Sequence, residues 1–122
     1  MNINSVTISG NLTRDAEKRY SAIGTAVVRW SVAVNESVKQ QDGSWSDKVN
    51  YIDCVMFGAY ADKISDSLTK GARVCVHGAL SQFTWERDGQ KRSKIEVKAD
   101  KIEVMERKQD TQEVIYADDC PF

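Results

Sequence analysis

The sequence predicts a mainly β fold, a five-stranded Greek-key barrel with one helix between its third and fourth strands. Three observations carry that prediction. Apolar and polar residues alternate with a period of two through most of residues 6–105, the signature of half-buried strands. Asp-Gly pairs at 42–43 and 88–89 mark tight hairpin turns, because glycine adopts positive φ at little cost. Only one segment, within 59–70, changes to a helical period.

The elements follow in order. Val6-Thr7-Ile8-Ser9 alternates and runs to Gly10, which predicts a first strand ending there in a turn or bulge. Ala26 to Val34 places Val28, Trp30, Val32 and Val34 on one face. Tyr51 to Phe57 is rich in aromatic and β-branched residues, which suit a pleated surface. Tyr60, Ile64 and Leu68 recur every four residues, with Ala61 beside them and Asp62, Lys63, Asp66 and Lys70 elsewhere. That pattern predicts an amphipathic helix, with Gly71 as its C-terminal cap. Arg73 to Trp85 reads as a long fourth strand kinked at Gly78. Ser93 to Met105 reads as the fifth, with Ile95, Val97, Ile102 and Val104 among charges. Five strands with a helix after the third is the OB-fold order, a barrel whose groove commonly takes oligonucleotides or oligosaccharides.

Composition narrows the function. A chain of 122 residues, 41% of them hydrophobic, is expected to form one domain with a real core. No run of 18 apolar residues predicts a membrane span, and no charged segment leads into an apolar one as a secretory signal would. Cys54, Cys75 and Cys120 are an odd set without C-x-x-C spacing, which predicts reduced thiols and a cytoplasmic protein. His77 is the single histidine, too little for a zinc site. With no phosphate-binding glycine motif and no nucleophile pattern around His77, neither an enzyme nor a cofactor is expected.

Aromatic and basic residues are more informative. Trp30 alone among three tryptophans falls in a core-directed pattern. Trp45 is expected in a polar loop over 42–47, and Trp85 precedes a charged hairpin. Tyr51, Val55 and Phe57 share one face of their strand, and Phe83 and Trp85 share one face of theirs. Exposed rings beside cations stack on bases while the cations track phosphates. Arg87 to Lys101 holds six basic and three acidic groups, so Lys48, Arg87, Lys91, Arg92 and Lys94 are candidate phosphate contacts. The net charge of −1 conceals a division: 15 basic and 13 acidic groups in 1–105, against 2 and 5 in 106–122.

Several ordered motifs then carry a resemblance. They are Asn11-Leu12 with Arg19-Tyr20, Gly24-Thr25-Ala26-Val27, Val55-Met56-Phe57-Gly58, Leu68-x-Lys70-Gly71, Val74-x-Val76-x-Gly78, and Trp85 with Asp88-Gly89-Gln90-x-Arg92. The chain closes on Asp118-Asp119-Cys120-Pro121-Phe122. Together these resemble the bacterial single-stranded DNA-binding protein family. The resemblance implies an OB-fold domain over 1–105 that assembles as a homotetramer and binds single-stranded DNA with little sequence preference. It implies roles in DNA replication, recombination and repair. Trp85 and Phe57 fall on the family's stacking positions, Tyr51 stands where tryptophan is usual, and Val38 stands where many members have an aromatic that nearby Trp45 is expected to replace. Residues 106–122 are expected to be a short disordered linker and acidic tip, with Asp118, Asp119, Cys120, Pro121 and Phe122 docking partner proteins. An OB-fold adaptor of a primosome-like complex and an RNA-binding OB domain of the cold-shock type stay open as other readings.

Overall fold

The structure, a computed structural model, describes residues 1–105. Six strands form one sheet: β1 (Val6–Leu12), β2 (Glu17–Tyr20), β3 (Ala26–Lys39), β4 (Trp45–Phe57), β5 (Arg73–Arg87) and β6 (Gln90–Met105). Their order is β1-β5-β6-β4-β3-β2, and a β1–β3 pairing closes the five long strands into a barrel. Neighbours pair antiparallel except β4 and β6, which run parallel at Cys54–Val97 and Val55–Lys98. The five predicted strands and the predicted Greek-key barrel with its single helix are therefore present.

Two glycines allow the barrel to close. A Cβ on Gly10 would lie 2.2 Å from the Ala33 carbonyl oxygen, because β1 crosses from β5 to β3 there. The strand continues through Gly10 to Leu12, so the expected stop at Gly10 is a close backbone approach instead. A Cβ on Gly78 would lie 2.1 Å from the Lys98 carbonyl oxygen. The β5–β6 register shifts between His77 and Gly78, a bulge that bends both strands around the barrel and matches the predicted kink.

Inside, Val28, Trp30, Val32, Cys54, Met56, Val74, Val76, Val97 and Ile102 form one buried cluster. Burial pushes the Cys54 thiol up to about 12, so it packs as a small hydrophobe.

Three differences from the sequence reading have local causes. β2 is fully exposed and reads Glu-Lys-Arg-Tyr, so no apolar alternation announced it. Lys18 and Tyr20 of this strand both bond to Asp62 Oδ1, at 2.8 and 3.1 Å. The helix α1 spans only Ala59–Ile64 and tightens into a 3-10 turn at Ser65–Ser67. Ala61 and Leu68 are buried and Ile64 packs against the core, as the apolar spacing predicts, whereas Tyr60 is exposed and the regular helix is shorter. Gly71 has φ +85° as a cap would, but it follows that turn and donates to the Leu12 carbonyl, leading the chain into β5.

Candidate nucleic-acid interface

Strand alternation and register place one set of side chains on the outside of the β3-β4-β6-β5 surface. On β4 the outward residues are Trp45, Tyr51, Asp53, Val55 and Phe57, opposite the odd-numbered residues of β3 such as Arg29, Ser31 and Ala33. The parallel pairing of Val55 with Lys98 turns the even-numbered side chains of β6 the same way. The β5–β6 register then sets Phe83 beside Lys94 and Trp85 beside Arg92. Two hairpins, β3-β4 and β5-β6, thus contribute to one face.

The rings on this face are available. Trp45 is 66% exposed, Tyr51 68%, Phe57 40% and Trp85 43%, while Phe83 is half-buried. Trp45, Tyr51 and Phe57 follow one another every six residues along β4, about 20 Å per step at ~3.3 Å per residue. Trp45 is the first residue of β4, paired with Lys39, and not part of a loop. It faces the same way as Tyr51, whereas Val38 pairs with Ser46 on the other face of that arm. Val55 shares the outer face but is fully buried, so it is floor, not platform.

Cations interleave with the rings. Lys98 Nζ lies 5.6 Å from the centroid of Phe57, and Arg29 Cζ lies 5.9 Å from that of Phe83, both within cation–π range. Neither Arg29 nor Lys98 was singled out from sequence, because each reads as the ordinary polar position of an alternating strand. Only the register sets them beside aromatic rings. Of the predicted contacts, Arg87, Arg92 and Lys94 lie on the aromatic face. Lys48 pairs with Glu36 and Lys91 with Glu86, and alternation turns both to the opposite face of their arms. Asp118, Asp119, Cys120, Pro121 and Phe122 lie outside the described residues.

The centre of the face is a charged cleft of about 140 Å³, bordered by Arg14, Glu17, Arg29, Asp53, Lys94 and Glu96. Lys94 Nζ sits 3.1 Å from Asp53 Oδ2 and 3.6 Å from Glu96 Oε2, and Arg29 Nη2 sits 3.6 Å from Glu96 Oε1. These carboxylates restrain the two cations before any ligand arrives. Exchange of such a partner for a phosphate retains the charge pairing.

A second constellation was invisible in the sequence. Ser5 Oγ lies 3.3 Å from His77 Nε2, and His77 Nδ1 lies 2.8 Å from Asp100 Oδ1. The pairing of β1, β5 and β6 assembles this serine, histidine and aspartate from 72 and 23 residues away. All three are solvent-exposed, where water competes for each bond and nothing shields a developing charge. The network ties the start of the chain to the β5–β6 bulge.

Comparison with known proteins bears on the family and the fold. A family described as the single-strand binding protein family matches residues 3–105. A single-stranded DNA-binding protein of Treponema pallidum is 43% identical over 103 residues, 84% of this chain and 58% of that protein. One from Borreliella burgdorferi is 41% identical over 104 residues, 84% of this chain and 69% of the relative. Among solved structures, a deletion mutant of the single-stranded DNA binding protein from Thermus aquaticus superposes with a TM-score of 0.79 at 29% identity, over 87% of this chain and 52% of that one. A Plasmodium falciparum SSB solved with single-stranded DNA superposes with a TM-score of 0.77 at 21% identity, over 87% of this chain and 97% of that one, which supports the fold. On the family match and these identities, the chain belongs to the single-strand binding protein family.

Proposed function

We propose that this chain binds single-stranded DNA with little sequence preference in replication, recombination and repair, without catalysis. The observation that carries the reading is the alternation of rings and cations on one face: Tyr51, Phe57, Phe83 and Trp85 with Arg29, Arg92, Lys94 and Lys98. Every base offers a π-face, so stacking is tolerant of sequence, and the cations follow the backbone. DNA binding removes secondary structure by mass action, since the platforms engage only unpaired bases.

Residues 1–105 serve as the binding domain and 106–122 as linker and tip. Asp118, Asp119, Pro121 and Phe122 combine two carboxylates, a fixed backbone and an aromatic ring within five residues, a group suited to an apolar pocket rimmed by Arg or Lys. Replication, recombination and repair proteins dock there. Assembly into a homotetramer is supported by apolar side chains that a single chain leaves exposed, including Leu80 and Ile95, which alternation turns away from Phe83 and Trp85. The working compartment is the cytoplasm.

The test is a tryptophan-fluorescence titration with oligo-dT at two salt concentrations, on the full chain and on a variant ending at residue 117, with oligo-rU as competitor. Tight quenching by dT, weakened by salt and poorly competed by RNA, is expected. An absence of quenching, or equal competition by RNA, rejects the reading. Light scattering on the same samples measures the assembly.

A further inference from the structure

Glu96 is the buried charged residue among the described residues, 2% exposed in the middle of the aromatic face. Its Oε1 has no hydrogen-bond partner. Unbonded buried carboxylate oxygens are costly and call for an explanation. Glu96 borders the charged cleft beside two long side chains, neither of them hydrogen-bonded to it, although Lys94 also pairs with Asp53 Oδ2 at 3.1 Å. Arg29 approaches Oε1 and Lys94 approaches Oε2, both only to 3.6 Å, beyond hydrogen-bonding distance. Both side chains are nearly half exposed, so they can swing outward. Phe83 lies against Arg29, which puts an aromatic platform at the rim.

We propose that Glu96, Arg29 and Lys94 form a nucleobase-edge subsite, in which the Glu96 carboxylate accepts a hydrogen bond from the exocyclic amino group of a cytosine, adenine or guanine. The inference rests on the single-stranded DNA reading above. Phosphate draws one of Arg29 and Lys94 outward, the amino N–H bonds the freed carboxylate oxygen, and the other cation stays beside Glu96, so its charge is not left buried alone. The recess sets the selectivity. An exocyclic amine projects from the ring and reaches a sunken oxygen. The imino N–H of thymine is flanked by two projecting carbonyl oxygens, which meet the carboxylate first. A carboxylate accepting from cytosine N4 is a known base-edge pairing. The subsite therefore adds a local base preference to a face that otherwise stacks on any base.

The test varies the ligand before the protein. The full chain is titrated with dT-host oligonucleotides that carry cytosine, or 2-pyrimidinone (cytosine without its amino group), at every third position. A second pair carries adenine or unsubstituted purine, which separates the two bases. Binding at least about tenfold tighter with the amino group is expected, equivalent to about 1.4 kcal/mol. In Glu96→Met, which has no acceptor oxygen, that ratio should fall towards one. An amino-group ratio near one in both pairs for the unaltered protein overturns the subsite while dT binding stands. So does an undiminished ratio in a folded Glu96→Met. Absence of binding to every strand, dT included, overturns the underlying reading as well. If Glu96→Met does not fold, the comparison of strands on the unaltered protein still decides.

Discussion

Removing the Trp85 ring tests the stacking face most directly. Trp85 is 43% exposed, on the outer side of β5 and three residues before the Asp88-Gly89 turn. An aromatic side chain presents up to ~250 Å², so about 105 Å² of it remains for a base to cover. At ~25 cal/mol per Å² that is an upper bound near 2.6 kcal/mol, inside the range of roughly 1–3 kcal/mol for a stacked base. A base lying on one side of the ring covers less than the whole, so about 2 kcal/mol is expected. Trp85→Ala should weaken binding of a labelled dT oligonucleotide about 30-fold at one salt concentration. The slope of log affinity against log salt should stay the same, because no charge is lost. Thermal unfolding followed by circular dichroism should move little, since Trp85 lies outside the buried cluster. Unchanged affinity in a folded variant would refute the stacking role, and a changed salt slope would mean that the ring acts by arranging cations.

Other consequences follow from particular contacts. Lys98→Gln should lower the salt slope by about 0.7, one single-strand phosphate contact, while Lys48→Gln on the opposite face should leave it alone. Equal slopes for the two variants would show the assignment of faces to be wrong. Gly78→Ala places a methyl 2.1 Å from the Lys98 carbonyl, and a destabilisation of about 2 kcal/mol or more should appear in urea unfolding. The hydrogen bond from Lys18 holds the Asp62 carboxyl below its ordinary value of 3.8 and raises the Lys18 ammonium above its ordinary 10.5. The Asp62 contribution is present above the ordinary carboxylate range and lost as pH falls through the depressed value. The Lys18 contribution is present below 10.5 and lost as pH rises through the raised value. The difference in melting temperature between the natural chain and Asp62→Asn should therefore be widest between pH 5 and 9, on the order of the flanking pKa values, and close at both extremes. A difference that persists at pH 2 would show that it does not arise from this ion pair.

Residues 1–105 carried enough periodicity to be read as a barrel. Val28, Trp30 and Val32 sit two apart and all point inward, and the Asp88-Gly89 turn has φ of 54° and 77°, as a two-residue hairpin requires. Such features are local, so the order of residues along one strand determines them. The same holds for the rings: Trp45 and Trp85 are large, apolar and set among polar neighbours, and Tyr51 and Phe57 share one face of their strand, which marked all four as candidate platforms before any fold was known.

What the tertiary structure decided is which strands lie side by side and in what register. Arg29 beside Phe83, Lys98 over Phe57, and Glu96 sunk between Arg29 and Lys94 each join strands remote in sequence. Lys48 and Lys91 were good candidates by composition, and one residue of phase turned them away. A strand's side chains change face at every step, so charge and ring counts along the chain carry no information about which of them meet. Only the closure of the barrel, permitted where Gly10 and Gly78 leave room for a neighbouring backbone, brings cations and rings onto one face.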